Sequence, residues 1–398
     1  MTTQIMNKAL EIKDYITNLR RQIHSNPELG FREYKTTELI SSELKKIGVE
    51  TLPLSMETGV VGIIKGTKSG TNRVTAIRAD IDALPILEQT DLAYSSKNPG
   101  VMHACGHDGH TAILLGVAKV LNSMKDEFSG VVKLVFQPSE ESLTGSEKML
   151  EEKVLDNPRV DNIVTLHGWP EFKVGEVGSW NGKYMAAGDI FKVKIKGKGG
   201  HGCRPYKAIN PIVASSQITL AIQNIVSSEI VTSEQAVISV CTFNAGTAFN
   251  IIPDEVIFGG TVRCLDENVR QDIRQRIERI IKGICIAFNC KYELDYKFGV
   301  PPLVNDREIV ENLLKAADAA LGEGHIKELS GPVMGSEDFS NYVNYIGGKG
   351  ALLRLGLASE EKSELVLHNE KFDFNDRAIP IGIAVMTQYV LNTNKSNL

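Results

Sequence analysis

The chain has 398 residues, 42% of them apolar and 23% charged, which is material for two domains rather than one. Its 44 basic and 49 acidic side chains are interspersed, so the net charge of −5 comes with no basic stripe of the kind nucleic-acid binding needs. No run approaches the roughly 18 apolar residues of a membrane span, and the opening MTTQIMNKALEIKDYITNLRRQ carries charges at helical spacing instead of a signal-peptide core.

In chain order, residues 7–24 and 34–47 show helical amphipathicity, and VVGIIKG (60–66) and RVTAIRADI (73–81) are short apolar strands. TAILLGVAKVLNSM (111–124) predicts a buried helix, GVVKLVFQ (130–137) a strand and DNIVTLHGW (161–169) another. Apolar strands separated by helices imply an α/β domain with a mixed, mostly parallel sheet covered on both faces. The pattern changes near residue 186. From there strand 189–197, helix 210–227, strands 236–246 and 255–265, helix 267–288 and strand 291–298 give the βαββαβ order of a ferredoxin-like module. Helical patterning resumes at ENLLKAADAAL (311–321). The expected organisation is therefore an outer domain of residues 1–185 and 300–398 with residues 186–299 inserted.

Ligand-type side chains concentrate at the strand ends, where open α/β sheets place their sites. HACGHDGH (103–110) holds three of the eight histidines, one of six cysteines and an aspartate. Cys105 and His107 lie two apart in a glycine-broken turn that can aim both at one point. Glu140 and Glu141 follow the 130–137 strand, His167 ends the next, and His368 lies in LHNEKFDFND. Thiolate, imidazole and carboxylate together suit a divalent transition ion such as zinc or manganese. Adjacent glutamates divide the labour in such a site: one carboxylate binds the ion, and its neighbour takes the proton of an activated water and returns it to a leaving amine. Without the cluster, the same pair reads as a solvated strand end. The cysteines show no CxxC pair, so reduced thiols and a cytoplasmic location are expected.

Together with HACGHDGHT, the stretches RRQIHSNPELGF, RADIDALPI, QPSEES, LHGWP, GGHGCRP, TAFNIIPD, MGSEDFS and LHNEKFDFND span nearly the whole chain. In them the chain resembles the M20 family of metallopeptidases, in particular its amidohydrolase branch of hippurate hydrolases, N-acyl-L-amino acid amidohydrolases and auxin-conjugate hydrolases. The resemblance implies a zinc-exopeptidase-like outer domain and a lid and dimerisation role for the inserted module, hence a homodimer or homotetramer. It implies two divalent ions per subunit, Zn2+ or Mn2+ with Co2+ or Ni2+ as alternatives, held by Cys105, His107, Glu141, His167 and His368. Glu140 becomes the general base and acid. Other branches carry a His-x-Asp motif where this chain has Asp80-Ile81-Asp82, so Asp82 keeps an orienting role and Cys105 marks the altered ligand set. His201 of GGHG is expected at the reacting carbonyl as an oxyanion donor, and Asn250 at the substrate.

His103, Asp108 and His110 read as braces for the ligands or as caps of the following helix. Glu337 and Asp338 fit a site edge or a helix cap, Arg204 and Arg263 a substrate carboxylate, and His24 and His325 structural positions. The expected reaction is cleavage of an N-acyl-L-amino acid to a carboxylic acid and a free amino acid. The alternatives are a dipeptidase or aminopeptidase-like activity, a deacetylase of an N-acetylated intermediate such as N-acetyl-diaminopimelate, a Cys105 thiol nucleophile, and a binding protein without catalysis.

Overall fold

The computed structural model describes residues 4–360 and 366–395. The chain divides into two compact units, one of Met1–Gly182, Val304–Gly331 and Asn341–Leu398, the other of Lys183–Leu303 and Pro332–Ser340. Among the described residues no helix is long and apolar enough to cross a membrane.

The first unit is built on a seven-stranded sheet with spatial order Glu50–Leu52, Val60–Lys65, Val131–Gln137, Val74–Asp80, Asn162–Lys173, Gly350–Ala358, Val177–Gly178. The four strands from 131–137 to 350–358 run parallel, and the outer ones pair antiparallel. Every residue of Val74–Asp80 is buried, as a strand covered on both faces requires. Helices His107–Ser123 and Ile379–Thr393 are buried along most of their length, and Ile113, Leu114, Val117, Ile383 and Met386 join the same core. The mixed, mainly parallel α/β sheet expected from the sequence is present.

Three features depart from the sequence reading. The helix expected from residue 111 begins at His107, because Gly106 at φ 93° turns the chain directly into it. The strand expected to stop at 169 runs on to Lys173. Gly350–Ala358 and Ile379–Thr393 are further elements, each mostly apolar and buried along most of its length. Neither shows the periodicity that marks a half-exposed strand or helix.

In the second unit, strands Ala236–Ala245, Glu255–Cys264, Ala187–Lys196 and Lys291–Lys297 form an antiparallel sheet in that order. Helices Pro211–Asn224 and Glu267–Ala287 complete the ferredoxin-like arrangement. Phe191, Val193 and Ile195 alternate inward and meet Ile218, Ile222, Ile273, Ile277 and Ile281 in a core of its own. Asp266 caps the second helix by accepting from Asn268 and Val269 N–H. Asp189 accepts from Arg270 Nη2 at 2.6 Å and from Gly299 N at 3.0 Å, tying the entering and leaving strands to that helix. Residues 332–340 join this unit through Val333 N–H to Tyr184 O at 2.9 Å and Ala186 N–H to Gly335 O at 2.8 Å.

Candidate metal centre

The ends of the parallel strands deliver the site. Asp80 ends the 74–80 strand with Asp82 two residues on, Glu140 and Glu141 follow 131–137, and His167 lies within 162–173 beside Arg354 of the 350–358 strand. Cys105 and His107 flank Gly106 at the start of the 107–123 helix. The second glycine of the motif has a packing reason: a Cβ on Gly109 would lie 2.5 Å from the Phe374 ring. Phe374 of FDFND thus wedges against the ligand turn.

His107 Nδ1 donates to Asp82 O at 3.0 Å and lies 3.2 Å from Asp82 Oδ1, while Asp82 Oδ2 accepts from Glu141 N–H at 3.0 Å. One aspartate therefore fixes both a histidine ring and the backbone of the glutamate pair. His107 donates from Nδ1, and its Nε2 faces Glu141 Oε1 at 3.8 Å and Glu140 Oε2 at 3.9 Å. His167 Nδ1 donates to Gly168 O at 2.8 Å, which leaves its Nε2 facing Cys105 Sγ at 3.5 Å. His368, held in the left-handed region at φ 61°, brings Nε2 to 3.4 Å from Glu141 Oε1. The ligand atoms of Cys105, His107 and His167 lie within 4.8 Å of one another, and so do those of Cys105, Glu141 and His368.

Two buried atoms test whether a cation fits. Among the described residues His107 Nε2 and Glu141 Oε1 have no hydrogen-bond partner. With His107 neutral, its Nε2 lone pair and the Glu141 oxygen are two buried acceptors without a partner, and burying them is costly. A divalent ion satisfies both, and the sulfur, nitrogen and oxygen donor set is one that zinc and manganese accept. The residues present fit a metal centre, and Cys105 belongs to both ligand groups.

The electrostatics point the same way. Burial, reinforced by the Glu141 carboxylate, pushes the Cys105 thiol well above its ordinary value. Burial also raises Glu141 to about 7, with Asp82 adding to the shift and His107 opposing it. His167 is pulled well below the usual imidazole range by burial and by the neighbouring His110. Cys105 and Glu141 are thus costly to ionise alone, and His167 and His368 are held in the neutral form a metal takes. His107 is the exception: burial pulls it down, but Asp80 and Cys105 outweigh burial and raise it well above the usual imidazole range, so a cation there displaces its Nε2 proton.

Around these lie braces that periodicity could not reveal. His110 donates from Nδ1 to Asp80 Oδ1 at 2.6 Å and accepts Gly168 N–H at Nε2, 2.8 Å away. With both nitrogens engaged it is a brace, although Asp80, His107 and His110 approach as closely as a ligand group, as do His107, Glu140 and Glu141. Asp108 accepts from Arg20 Nε at 2.7 Å and His24 Nδ1 at 2.8 Å, and Arg20 also reaches Asp373 at 2.5 Å and Asp376 at 3.1 Å. The signal for this network was in RRQIH: Arg20 and His24 sit one turn apart on the face that also buries Ile16 and Ile23.

In the second unit His201 and Asn250 are neighbours. His201 pairs with Ile251 across a short ribbon, and Gly202 N–H donates to Asn250 O at 2.8 Å. His201 is exposed and its Nδ1 accepts Cys203 N–H at 3.2 Å. Arg204 is exposed, whereas Arg263 Nη1 donates to Ser336 Oγ. Glu337 accepts Phe339 N–H at 3.1 Å, a capping contact ahead of helix Phe339–Tyr345.

Residues 76–392 match the model of Peptidase family M20/M25/M40. N-acyl-L-amino acid amidohydrolase of Geobacillus stearothermophilus is 42% identical over 296 residues, 74% of this chain and 79% of its own length. Thermostable carboxypeptidase 2 of Saccharolobus solfataricus is 38% identical over 387 residues, 96% of each chain. A Bacillus subtilis crystal structure, described as a dinuclear metal binding peptidase from the M20 family, superposes with TM-score 0.83 at 34% identity, covering 96% of this chain and 99% of the other. Ordered motifs, the donor cluster at the strand ends and a match across most of the chain converge, and the chain belongs to Peptidase family M20/M25/M40.

Proposed function

We propose that the protein is a metal-dependent amidohydrolase that cleaves N-acyl-L-amino acids to a carboxylic acid and a free amino acid. The carrying observation is the pair of unsatisfied buried atoms, His107 Nε2 and Glu141 Oε1, inside a thiol, imidazole and carboxylate cluster beside Glu140. Cys105, His107, Glu141, His167 and His368 hold two divalent ions, zinc or manganese, with cobalt or nickel able to substitute. Bound there, the ions supply the positive charge that lowers the pKa of water and polarises the amide carbonyl. Glu140 takes the proton of the attacking water and delivers it to the leaving nitrogen. Asp82 holds His107 and the Glu141 backbone in register. His201, whose Nδ1 is occupied, offers Nε2–H to the developing oxyanion, and Asn250 beside it contacts the substrate. The second unit, drawn from the sequence as residues 186–299 between outer-domain segments 1–185 and 300–398, serves as lid and as the surface of a homodimer or homotetramer. Six free cysteines agree with the reducing cytoplasm.

The name of the Geobacillus relative supports the N-acyl substrate, and that of the Saccharolobus relative supports a second reading in which peptides are cleaved. Cys105 is a poor thiol nucleophile, because its surroundings raise rather than lower its pKa. The test is release of amino acid from N-acetyl, N-benzoyl and longer N-acyl amino acids and from dipeptides, with metal-stripped and metal-reloaded enzyme. Metal-dependent release from the acyl substrates is expected. Release from dipeptides alone moves the assignment to the peptidase reading, and release that survives metal removal overturns the mechanism.

A further inference from the structure

We propose that residues 28–33, which precede the span matched by the family model, form a bracket that positions the catalytic turn, with Glu33 acting through Ser139 on Glu140. The proposal rests on the reading of Glu140 as the general base.

The turn carrying Glu140 and Glu141 needs outside support. Ser139 and Leu143 both occupy the left-handed region at φ 56°, which side chains other than glycine adopt rarely. Internal bonds from Leu143 N–H to Glu140 O at 2.6 Å and from Gly145 N–H to Ser139 O at 3.1 Å close the turn on its far side. On the near side the Ser139 N–H donates to Glu33 Oε1 at 2.8 Å, and both residues are buried.

Glu33 occupies the N-cap position of helix Tyr34–Lys46, yet its side chain makes no capping bond. Its carboxylate faces Ser139 instead. Gly30 supplies the clearance: a Cβ there would lie 2.4 Å from Ser139 Oγ. The same segment grips the other acidic loop. Leu29 bridges Ala83, and Ala83 N–H donates to Glu28 O at 2.8 Å, one residue beyond Asp82. Residues 28–33 thus touch the residue after Asp82 and the residue before Glu140. Asp82 Oδ2 closes the arrangement by accepting Glu141 N–H. Glu33 is a positioning residue: it sets the orientation of the turn and does not meet the substrate.

The test compares E33A, which removes the acceptor, E33D, which withdraws it by one methylene, and E33Q, which keeps an oxygen able to accept Ser139 N–H. Two readouts are taken on the full chain: kcat and KM for an N-acyl amino acid, and Zn2+ affinity by chelator competition. A displaced turn lowers kcat about 10- to 100-fold in E33A and E33D with KM changed much less. Zn2+ affinity falls with it, because Glu141 shares the turn, and E33Q recovers most of both losses. Wild-type kcat and Zn2+ affinity in E33D overturns the bracket, as does an E33Q no better than E33A. If E33A does not fold, E33D and E33Q decide. If the wild-type protein hydrolyses no substrate, the functional reading fails, and the Zn2+ comparison still decides the bracket.

Discussion

At the scale of single residues, Glu140 and Gly109 make opposite demands. Glu140 lies within 4.8 Å of the His107 and Glu141 donor atoms but is proposed as the base and not as one of the five ligands, so Glu140→Ala is expected to lower kcat by roughly 10²- to 10⁴-fold, the range of a lost general base. Metal content, measured on the same samples, should stay at the wild-type level. Gly109 contributes through absence of a side chain. Its missing Cβ admits Phe374, so Gly109→Ala overpacks the turn at a cost of about 1–3 kcal/mol, read as a lower melting temperature. Gly283, with nothing near its would-be Cβ and a place in the exposed face of helix Glu267–Ala287, supplies the contrast: Gly283→Ala should stabilise by roughly 0.4–1 kcal/mol. Cys105, His107, Glu140, Glu141 and His167 stood out in the sequence because ligand-type residues gather after strands and in one glycine-broken turn, and the structure brings them together. Gly109 was visible as a letter, but its partner lies 265 positions along the chain, and no local pattern encodes that contact.

At the scale of elements, the buried charges fasten helix Lys13–His24 to helix His107–Ser123 and to the FDFND segment. His24 is the titrating member. Burial pulls its pKa down, but Asp108 and Glu88 outweigh burial and the repulsion of Arg20, and push it from 6.5 to about 9. Tyr94 and His103 complete its surroundings. A pKa raised on folding means that the stabilisation is complete below pH 6.5 and is lost as pH rises through about 9, an effect of order 3 kcal/mol. Denaturant unfolding at pH 6, 7.5 and 9 should show this decline, and His24→Gln should start less stable and change much less over the same window. Most helices and strands were readable from period and apolar runs. Gly350–Ala358 and Ile379–Thr393 were not, since burial on every side erases the alternation that the reading depends on. The early start of the 107–123 helix was hidden because its first turn, His107-Asp108-Gly109-His110, holds one proposed ligand, two bracing polar side chains and a glycine, none of them placed there by helix propensity.

At the scale of the whole molecule, each unit has its own apolar core, and all five proposed ligands belong to the first. An ion bound only by the folded first unit stabilises that unit by mass action, about 4 kcal/mol when its concentration is a thousand times its dissociation constant. Calorimetry before and after chelation should therefore show the first unit's transition moving down while the second unit's stays in place; a uniform shift would mean that the units melt as one. The connectivity adds a constraint on synthesis. The 162–173 strand pairs with 350–358, which the ribosome delivers only after the second unit has been made. At ~5–20 residues per second, that interval lasts roughly 10–35 s. During it the ferredoxin-like module can fold, while the long central strand waits with one edge unpaired and the proposed ligand set lacks His368. The nascent chain is exposed to aggregation and to chaperones in that window, and the proposed metal centre is among the last parts of the molecule to be assembled.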